Sequence, residues 1–387
     1  MSRVKNVNSQ KIIPVRVMPL ILILTVGLAA RFSVGTLGHN FDFDSYRVIA
    51  DLTTQGQNIY AHTTRYNYGP VMFNLVHGLD WLAGHKEFLF RQLLIGMLSV
   101  ADVGIFWILL QQFGWLPAGV FFLNPISIII TGYHNQFDNL AIFIGLLAML
   151  RFGDDFEKPL DARKYSALAL LGLSLMTKHV FFAYPFWLAV KQRGLLAKLF
   201  ILTIPIAIFF ASFIPYWQEG HYGIIQNVFR YQAGTTGYLY SNWVPKRIQA
   251  VLDNWMFWFA AIAFFAFVSR KVGGIRSLLI YTGVLVSLAP TSSCQYFAIP
   301  LALLAVYFNW FSIFFTLVST LMLVVAEFGV LDENWHGFDP DLVTIALSTT
   351  GLEVLLLAVI WIFWKPQILA AFQRCVKEVN VQLGLEK

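Results

Sequence analysis

Two carboxylates separated by one residue stand directly after the first long apolar stretch of the chain. They are Asp42 and Asp44, in the segment HNFDFDSYRVIADLTTQGQNIY. Paired carboxylates can supply a general base together with an orienting partner or a metal ligand. Asp44 or Ser45 could instead cap the amphipathic helix that the pattern predicts from Asp44 to Leu52. Capping explains Asp42 less well, because two neighbouring carboxylates at a membrane surface repel each other.

Basic side chains near the ends of apolar stretches form a second group of candidates. Lys178 and His179 end the stretch at about 164–178, and Arg230 lies in a segment otherwise poor in charge. Ionisable groups at membrane depth are costly and usually functional, and cationic groups bind lipid phosphates. The sequence therefore predicts a phosphate-binding set of Lys178, His179 and Arg230. The alternatives are a lysine that reaches toward solvent and an arginine that anchors the chain at the membrane interface.

Aromatic and hydrogen-bonding side chains in two further segments predict a substrate pocket. The candidates are Arg65, Tyr66, Tyr68, His134, Gln136 and Asp138. The tyrosine rings of the first segment suit a surface that contacts sugars, although an aromatic belt at the membrane interface has the same composition. The second segment is a tight turn that either lines a polar site or is simply solvated. Asp102 and Glu353 lie within apolar stretches, where buried pairs can hold helices together.

A 387-residue chain with 58% hydrophobic and 12% charged residues must position these side chains. A soluble protein carries about 25% charged residues, so a soluble globule is excluded, and the high hydrophobicity also excludes disorder.

A spanning helix needs about 20 mostly apolar residues. We predict an all-α polytopic membrane protein with about 12 spans, at 14–32, 92–112, 115–132, 136–152, 164–178, 180–190, 196–216, 251–269, 276–290, 294–308, 310–328 and 343–364. The stretch 70–83 is too short to span and is predicted to lie at the membrane interface.

The basic residues predict the topology. With these spans, most short loops rich in Lys and Arg fall on one side, which the positive-inside rule assigns to the cytoplasm together with both termini. The outer side then carries the long loops 33–91 and 217–250 and, on or near it, all eight histidines. The net charge of +6 is typical of cytoplasmic loops rather than of a nucleic-acid-binding surface. The two cysteines form neither a disulfide framework nor a metal site. A prokaryotic inner membrane is favoured, with the endoplasmic reticulum as the alternative.

The order of these motifs resembles the GT-C superfamily of membrane glycosyltransferases, which use polyprenyl-phosphate-linked sugars as donors. The opening resembles the first luminal loop of the glycosylphosphatidylinositol mannosyltransferase I family, in Asp42-Phe43-Asp44, Gly56, Tyr60 and Arg65-Tyr66-Asn67-Tyr68-Gly69-Pro70. The middle is more similar to the dolichyl-phosphate-glucose-dependent glucosyltransferases, in Asn124-Pro125, His134 to Asn139, Lys178-His179, and Arg230 ahead of Asn242-Trp243. Lys178-His179 replaces a Lys-Gln pair of those enzymes, and the D-x-D loop is one residue longer, so the sugar and the acceptor do not carry over.

The resemblance covers roughly residues 14–250 and implies a GT-C fold with a catalytic first outer loop. It implies a catalytic module at 1–250 and a variable set of C-terminal helices at 251–387. The implied reaction moves a monosaccharide, with mannose or glucose favoured, from a polyprenyl phosphate to a hydroxyl of a lipid or glycan acceptor, with inversion. Asp42 would act as base, and Asp44 would orient the acceptor or help to hold a divalent cation. No other cofactor and no nucleic-acid partner is expected, and the oligomeric state is open.

Two other functions remain open from the residues alone. A transporter or flippase for a lipid-linked sugar would use the charged outer groups as a gate, although no internal repeat of the kind found in many transporters is visible. A non-catalytic membrane subunit of a glycosylation complex would tolerate the loss of Asp42.

Overall fold

The chain folds into a bundle of helices, and the computed structural model describes residues 17–231, 247, 254–290, 293–328 and 340–382. In the last range, side chains are described for residues 341–365. Within these ranges the chain forms helices and turns and no strand, as predicted for an all-α membrane protein. Several predicted features lie wholly or partly outside the described residues: the first residues of the span at 14–32, the part of the outer loop 217–250 that follows residue 231 apart from residue 247, and the Asn242-Trp243 pair.

The helices are numbered here in chain order. The first twelve are α1 Val17–Gly35, α2 Phe41–Thr54, α3 Ile59–His62, α4 Pro70–Leu82, α5 Glu87–Phe113, α6 Trp115–Phe122, α7 Pro125–Ile129, α8 Asp138–Phe152, α9 Ala162–Thr177, α10 Tyr184–Ala189, α11 Leu195–Ala211 and α12 Trp217–Gly223. The others are α13 Trp255–Val268, α14 Gly274–Ser287, α15 Leu301–Val306, α16 Trp310–Phe328 and α17 Pro340–Gln382. Two wider π-helical turns, Ile130–His134 and Ile224–Phe229, follow α7 and α12 directly.

Among the described residues, five helical segments are long and apolar enough to cross a membrane, or six if one bent pair counts as a span. The five are Val17–Gly35, Glu87–Phe113, Leu195–Phe229, Trp310–Phe328 and Asp341–Lys365. The protein is therefore an integral multi-pass membrane protein. The predicted count of 12 spans is not confirmed, because several of the predicted spans form shorter helices. α8 and α9 have 15 and 16 residues, which gives lengths of about 22–24 Å against a hydrocarbon core of about 30 Å.

The predicted continuous span at 115–132 is broken in the structure. α6 and the segment Pro125–His134 meet at an angle of 48°. The cause is local: Asn124 caps α7 with its side chain, and Pro125 occupies the first helical position. Proline there lacks the amide hydrogen and disfavours helical backbone at the residue before it, so one helix must end and another begin. The π-helical turn that follows ends at Asn135 with φ of 56°, which turns the chain back into the bundle.

A buried cluster of hydrogen-bonded polar side chains holds the first helices together. Asp102 of α5 is fully buried and accepts hydrogen bonds from Arg31 Nε (2.8 Å), Thr131 Oγ1 (2.7 Å) and Asn139 Nδ2 (2.6 Å). A buried charge is tolerated when it is paired and fully hydrogen-bonded. Asp102 thus joins α1, α5, the π-helical turn and α8, as expected for a buried pair that holds helices together.

The large hydrophobic core contains residues from both halves of the chain. Trp187 Nε1 donates to Ser277 Oγ at 2.8 Å, and Tyr281 Oη donates to the Val180 carbonyl at 3.0 Å. The predicted division into 1–250 and 251–387 stays a prediction, and the two segments share one packed interior.

A second, smaller core lies at one end of the bundle, called here the loop end, which carries residues 36–86. Phe43 and Ile49 of α2 pack in it with Met72 and Val76 of α4. α4 has 13 residues, too few to cross a membrane. Buried Asp80 in α4 contacts Arg47 at 2.8 Å and His85 at 2.5 Å, so α2 and α4 are tied together as a platform.

Candidate functional site

The acidic pair lies at the start of α2, on the platform. The cap of this helix is Asn40, whose Oδ1 accepts from the Asp42 amide at 3.0 Å. The alternative that Asp44 or Ser45 caps the helix is therefore wrong. Asp42 is half-buried, whereas the Asp44 side chain is 52% exposed and lies 3.7 Å from His39 Nδ1. The two carboxylates have different environments, and Asp42 is the one turned toward the protein.

Lys178 follows the last residue of α9 and is buried. Its Nζ donates to Asp138 Oδ2 at 2.6 Å and to Gln136 Oε1 at 3.0 Å. It also lies over the rings of Tyr68 and Phe137, at 5.1 and 5.0 Å from their centroids. The alternative of a lysine that reaches toward solvent is wrong, because only 4% of the residue is exposed. The two predicted sets, for phosphate and for substrate, meet in this ion pair.

His179 lies in the single turn between α9 and α10. Burial, and then the neighbouring Lys178 ammonium, lower the pKa of His179 to about 4. The imidazole is therefore neutral near pH 7, and the expectation of two adjacent cations at this position is wrong. Its Nδ1 is buried and has no hydrogen-bond partner among the described residues. His179 can thus offer a hydrogen bond to a ligand but no charge.

A cavity of about 410 Å³ opens beside these residues. Five residues of the predicted sets line it: Tyr68, Asp138, Lys178, His179 and Arg230. The exposed Arg230 follows the second π-helical turn. The remaining wall combines polar groups, among them Gln295, with an apolar and aromatic face that includes Phe182, Trp255, Trp258, Phe259 and Tyr296. A cavity with one charged wall and one aromatic wall suits an amphipathic ligand.

Asp42 lies beside the cavity rather than in its wall. Its charge acts on Asp138 and on two tyrosines that line the cavity, Tyr68 and Tyr231. Burial and then the Asp42 carboxylate raise the pKa of Tyr231, while a hydrogen bond with Asn67 lowers it. Burial and then Asp42 also raise the pKa of Tyr68. Both phenols therefore stay protonated and can donate hydrogen bonds near the carboxylate.

Several predicted pocket residues lie behind the cavity wall. Tyr66 is buried and donates from its hydroxyl to the Gly69 carbonyl at 2.5 Å, which shapes the turn before α4. Arg65 lies over the Phe41 ring at 3.9 Å. His134 is buried beside Asn40, with Nδ1 2.7 Å from Asn40 Nδ2. Gln136 acts through Lys178.

Three buried polar atoms around Lys178 and His179 have no hydrogen-bond partner among the described residues: Gln136 Nε2, Asp138 Oδ1 and His179 Nδ1. Buried polar groups are almost always paired in folded proteins. Their clustering indicates that a polar ligand or water completes the site. Within the described part of the chain, no three His, Cys, Asp or Glu side chains are grouped to hold a metal ion.

Sequence reasoning missed functional candidates in the C-terminal half and one in the first loop. The missed residues are Asn40, Gln295, Tyr296 and Glu327. Glu327 Oε1 lies 2.9 Å from His134 Nε2. A signal existed for it, since it is the one charged residue of the apolar helix α16, and ionisable groups in spans are usually functional. Asn40 precedes the acidic pair by two residues, at a position typical of a helix cap.

The arrangement of helices is similar to that of a solved structure, ArnT from Cupriavidus metallidurans in the apo state, with a TM-score of 0.51 and 12% identity, over 89% of this chain and 76% of that one. This likeness agrees with the fold predicted from the motifs. The structure of ArnT from the same organism bound to undecaprenyl phosphate has a TM-score of 0.49 and 13% identity, over 89% and 77% of the two chains. No family model and no curated protein matches the chain.

Proposed function

We propose that the protein is a glycosyltransferase that moves a monosaccharide from a polyprenyl-phosphate carrier to an acceptor hydroxyl at the loop end. The cavity is the observation that supports this most directly. It joins a charged wall, with Lys178, Asp138 and Arg230, to an aromatic wall with Trp255 and Trp258. A lipid-linked sugar has the same division into a polar head and an apolar chain. The GT-C fold supports the same reaction class.

In the proposed reaction, the Asp42 carboxylate acts as general base. It accepts the proton of the acceptor hydroxyl while that oxygen attacks the anomeric carbon from the side opposite the phosphate. The bond between the anomeric carbon and the phosphate oxygen breaks, and the polyprenyl phosphate leaves as an anion. The configuration at the anomeric carbon is inverted. Because a phosphate leaves without protonation, no general acid is required. Asp44, exposed one residue further on, orients the acceptor.

The growing negative charge of the leaving phosphate is stabilised from three sides. Arg230 is exposed along the cavity, forms no ion pair with another described residue, and supplies a positive charge and a planar set of donors. Lys178 has three N–H groups, of which two are used by Asp138 and Gln136, and the third is directed to the phosphate. Neutral His179 adds a hydrogen bond through Nδ1. Donors fixed in advance around a developing charge are a major source of catalysis.

The sugar is proposed to lie between Asp138 and the tyrosines. Asp138 Oδ1 and Gln136 Nε2, both unpaired, offer an acceptor and a donor to its hydroxyls. Tyr68 and Tyr296 supply ring surface at the cavity wall. A hexose, mannose or glucose, is the proposed donor sugar. The carrier chain follows the aromatic wall, and a lipid or glycan presents the acceptor hydroxyl.

The test uses the purified full chain in nanodiscs with short-chain polyprenyl-phosphate mannose and polyprenyl-phosphate glucose. A lipid and glycan extract serves as acceptor, and release of free polyprenyl phosphate is followed. The wild type is expected to release it with one donor, and Asp42→Asn should lower the rate by about 10²- to 10⁴-fold. Asp51→Asn is the matched control, because Asp51 is an exposed carboxylate on the same helix.

Equal rates for the wild type and Asp42→Asn would remove Asp42 from the chemistry. Movement of the lipid-linked sugar across liposomes with no chemical product would replace the enzyme by a transporter. A subunit without catalytic function would show neither activity, and its partner binding would persist in Asp42→Asn.

A further inference from the structure

A chain of polar contacts connects Asp42 to a helix of the C-terminal half. Asn40 Nδ2 lies 3.4 Å from Asp42 Oδ2 and 2.7 Å from His134 Nδ1. On the other side of the imidazole, Nε2 lies 2.9 Å from Glu327 Oε1, an ion-pair distance without the angle of a hydrogen bond. His134 is 1% exposed. The contacts thus run from the loop end into α16, across 287 positions of sequence between Asn40 and Glu327.

The chemistry of the groups fixes their roles. An amide nitrogen such as Asn40 Nδ2 only donates hydrogen bonds, so His134 Nδ1 must be the acceptor. The imidazole hydrogen is then on Nε2, the atom that faces the Glu327 carboxylate. A carboxylate 2.9 Å from Nε2 attracts the N–H electrostatically and disfavours the other tautomer, in which a nitrogen lone pair would face the negative charge. Glu327 therefore stabilises the one form of His134 that can hold Asn40.

Asn40 is held at both ends of its amide. Its Oδ1 accepts from the Asp42 backbone amide at 3.0 Å, while its Nδ2 is shared between His134 and Asp42 Oδ2. Among the described residues, Asn40 approaches Asp42 Oδ2, and no side chain forms a hydrogen bond or an ion pair with Oδ1. One carboxylate oxygen is thereby anchored and the other is left for an acceptor hydroxyl.

A second anchor fixes Glu327 itself. Tyr133 Oη donates to the Glu327 backbone carbonyl at 3.0 Å. Tyr133 directly precedes His134, whose ring faces the Glu327 side chain. The last turn of α16 is therefore attached to the π-helical turn through both its backbone and its side chain. The wide turn brings Tyr133 and His134, which are consecutive, to the same residue.

We infer that Asn40, His134 and Glu327 are positioning residues that hold the Asp42 carboxylate in its reactive orientation. The inference rests on the proposed function, in which Asp42 is the base. No proton needs to pass along the chain, since an amide side chain separates Asp42 from the imidazole. Misplacement of a reacting group by about 1 Å can lower a rate by about 100-fold.

The test compares Glu327→Ala, Glu327→Gln and the control Glu219→Ala, which removes an exposed glutamate from α12. Glu327→Ala is expected to lower kcat for release of polyprenyl phosphate about 100-fold with donor KM unchanged. Glu327→Gln should recover activity to within a few fold, because its Oε1 can still face the imidazole N–H. In an Asp42→Asn background, Glu327→Ala should have no further effect, since residues that act as a unit are non-additive.

A second measurement requires no turnover. Hydrogen exchange of the backbone amides at residues 40–46 should be faster in Glu327→Ala than in the wild type and Glu219→Ala, because Asn40 then loses its hold on the Asp42 amide. Unchanged exchange with unchanged kcat would overturn the inference. Equal loss in the Asp42→Asn background and the wild type would also overturn it, because Glu327 would then act independently of Asp42. If Asp42→Asn alone retained full activity, the proposed function would fail, and the exchange result would still decide whether the contacts hold the loop.

Discussion

The Lys178 ammonium lies in a buried site where the fold already provides its counter-charge. Asp138 Oδ2 is 2.6 Å from Nζ, and the two side chains are 5% and 0% exposed. A buried pair contributes little net stability compared with apolar residues of similar volume. Removal of one partner, in contrast, leaves an unpaired buried charge and costs about 3–5 kcal/mol. The pair joins α8 to the residue that follows α9, so its loss affects both the fold and the site.

Lys178→Met is expected to lower the free energy of unfolding by about 3–5 kcal/mol. The double variant Lys178→Met with Asp138→Leu should recover most of that loss, while transfer stays absent in both. Thermal unfolding in detergent and release of polyprenyl phosphate, measured on the same preparations, check the two expectations. If the double variant recovered transfer along with stability, the pair would serve only to hold the helices together.

The candidate residues could be identified from the sequence, because polar and charged side chains are rare in an apolar chain. Their grouping around one cavity could not, because it depends on contacts between residues far apart in the sequence. Lys178 and Asp138 were both predicted, but in separate roles, since 40 positions separate them. Nothing in the pattern indicates that one would neutralise the other. The charge of His179 was mispredicted for a related reason: burial lowers its pKa, and burial is a property of the whole packed site.

Among the elements, α12 approaches α3 very closely. A Cβ atom added at Gly223 would overlap the carbonyl oxygen of Tyr60, in α3. The residue before the second π-helical turn must therefore lack a side chain for α12 to pack there. This contact positions the turn that leads to Arg230.

Gly223→Ala is expected to push α12 away from α3 and to destabilise the protein by about 1–3 kcal/mol, as other substitutions that overpack an interior do. Gly78→Ala is the matched control, because a Cβ at Gly78 meets nothing within 4 Å and alanine favours helix by about 1 kcal/mol. Thermal unfolding in detergent should show a lower transition for the first and an equal or higher one for the second. The same transition in both variants would contradict the close contact.

The sequence predicts the helices better than their interruptions. Long apolar stretches predicted α1, α5, α16 and the apolar part of α17 to within a few residues, because apolar length is a direct signal of a span. The bend between α6 and α7 is caused by Asn124-Pro125, which is visible in the sequence. The prediction of one continuous span at 115–132 rested on apolar content and missed this bend. The π-helical turn Ile130–His134 has no such local signal. It depends on tertiary contact, since a Cβ at Gly132 would overlap the Arg31 carbonyl of α1.

For the whole molecule, the distribution of basic residues predicts that the loop end faces outward. This follows from the positive-inside rule and remains a prediction. The loop at 153–161 lies between α8 and α9 at their ends away from the site, and Lys158 in it has a side chain that is 77% exposed. Asp51 on the platform is also exposed. We therefore expect these two positions to report on opposite sides of the membrane.

Asp51→Cys and Lys158→Cys, each in a background of Cys294→Ser and Cys375→Ser, test the orientation in intact cells. A membrane-impermeant maleimide is expected to label the first and to leave the second unlabelled until the cells are opened. Both should be labelled in detergent, which controls for accessibility. Labelling of Lys158→Cys alone in intact cells would reverse the topology and place the proposed reaction in the cytoplasm.

The C-terminal half contributes to the cavity through Trp255, Trp258 and Tyr296 and reaches His134 through Glu327. The order of synthesis therefore matters. A ribosome that has released 250 residues has already delivered Asp42, Lys178 and Arg230 to the membrane, yet the aromatic wall and the Glu327 contact are still missing. A nascent chain therefore contains the charged residues of the cavity before the aromatic residues that close it have been synthesised. Under the proposed function, a donor sugar would therefore meet a sheltered pocket only after residue 327 has been synthesised.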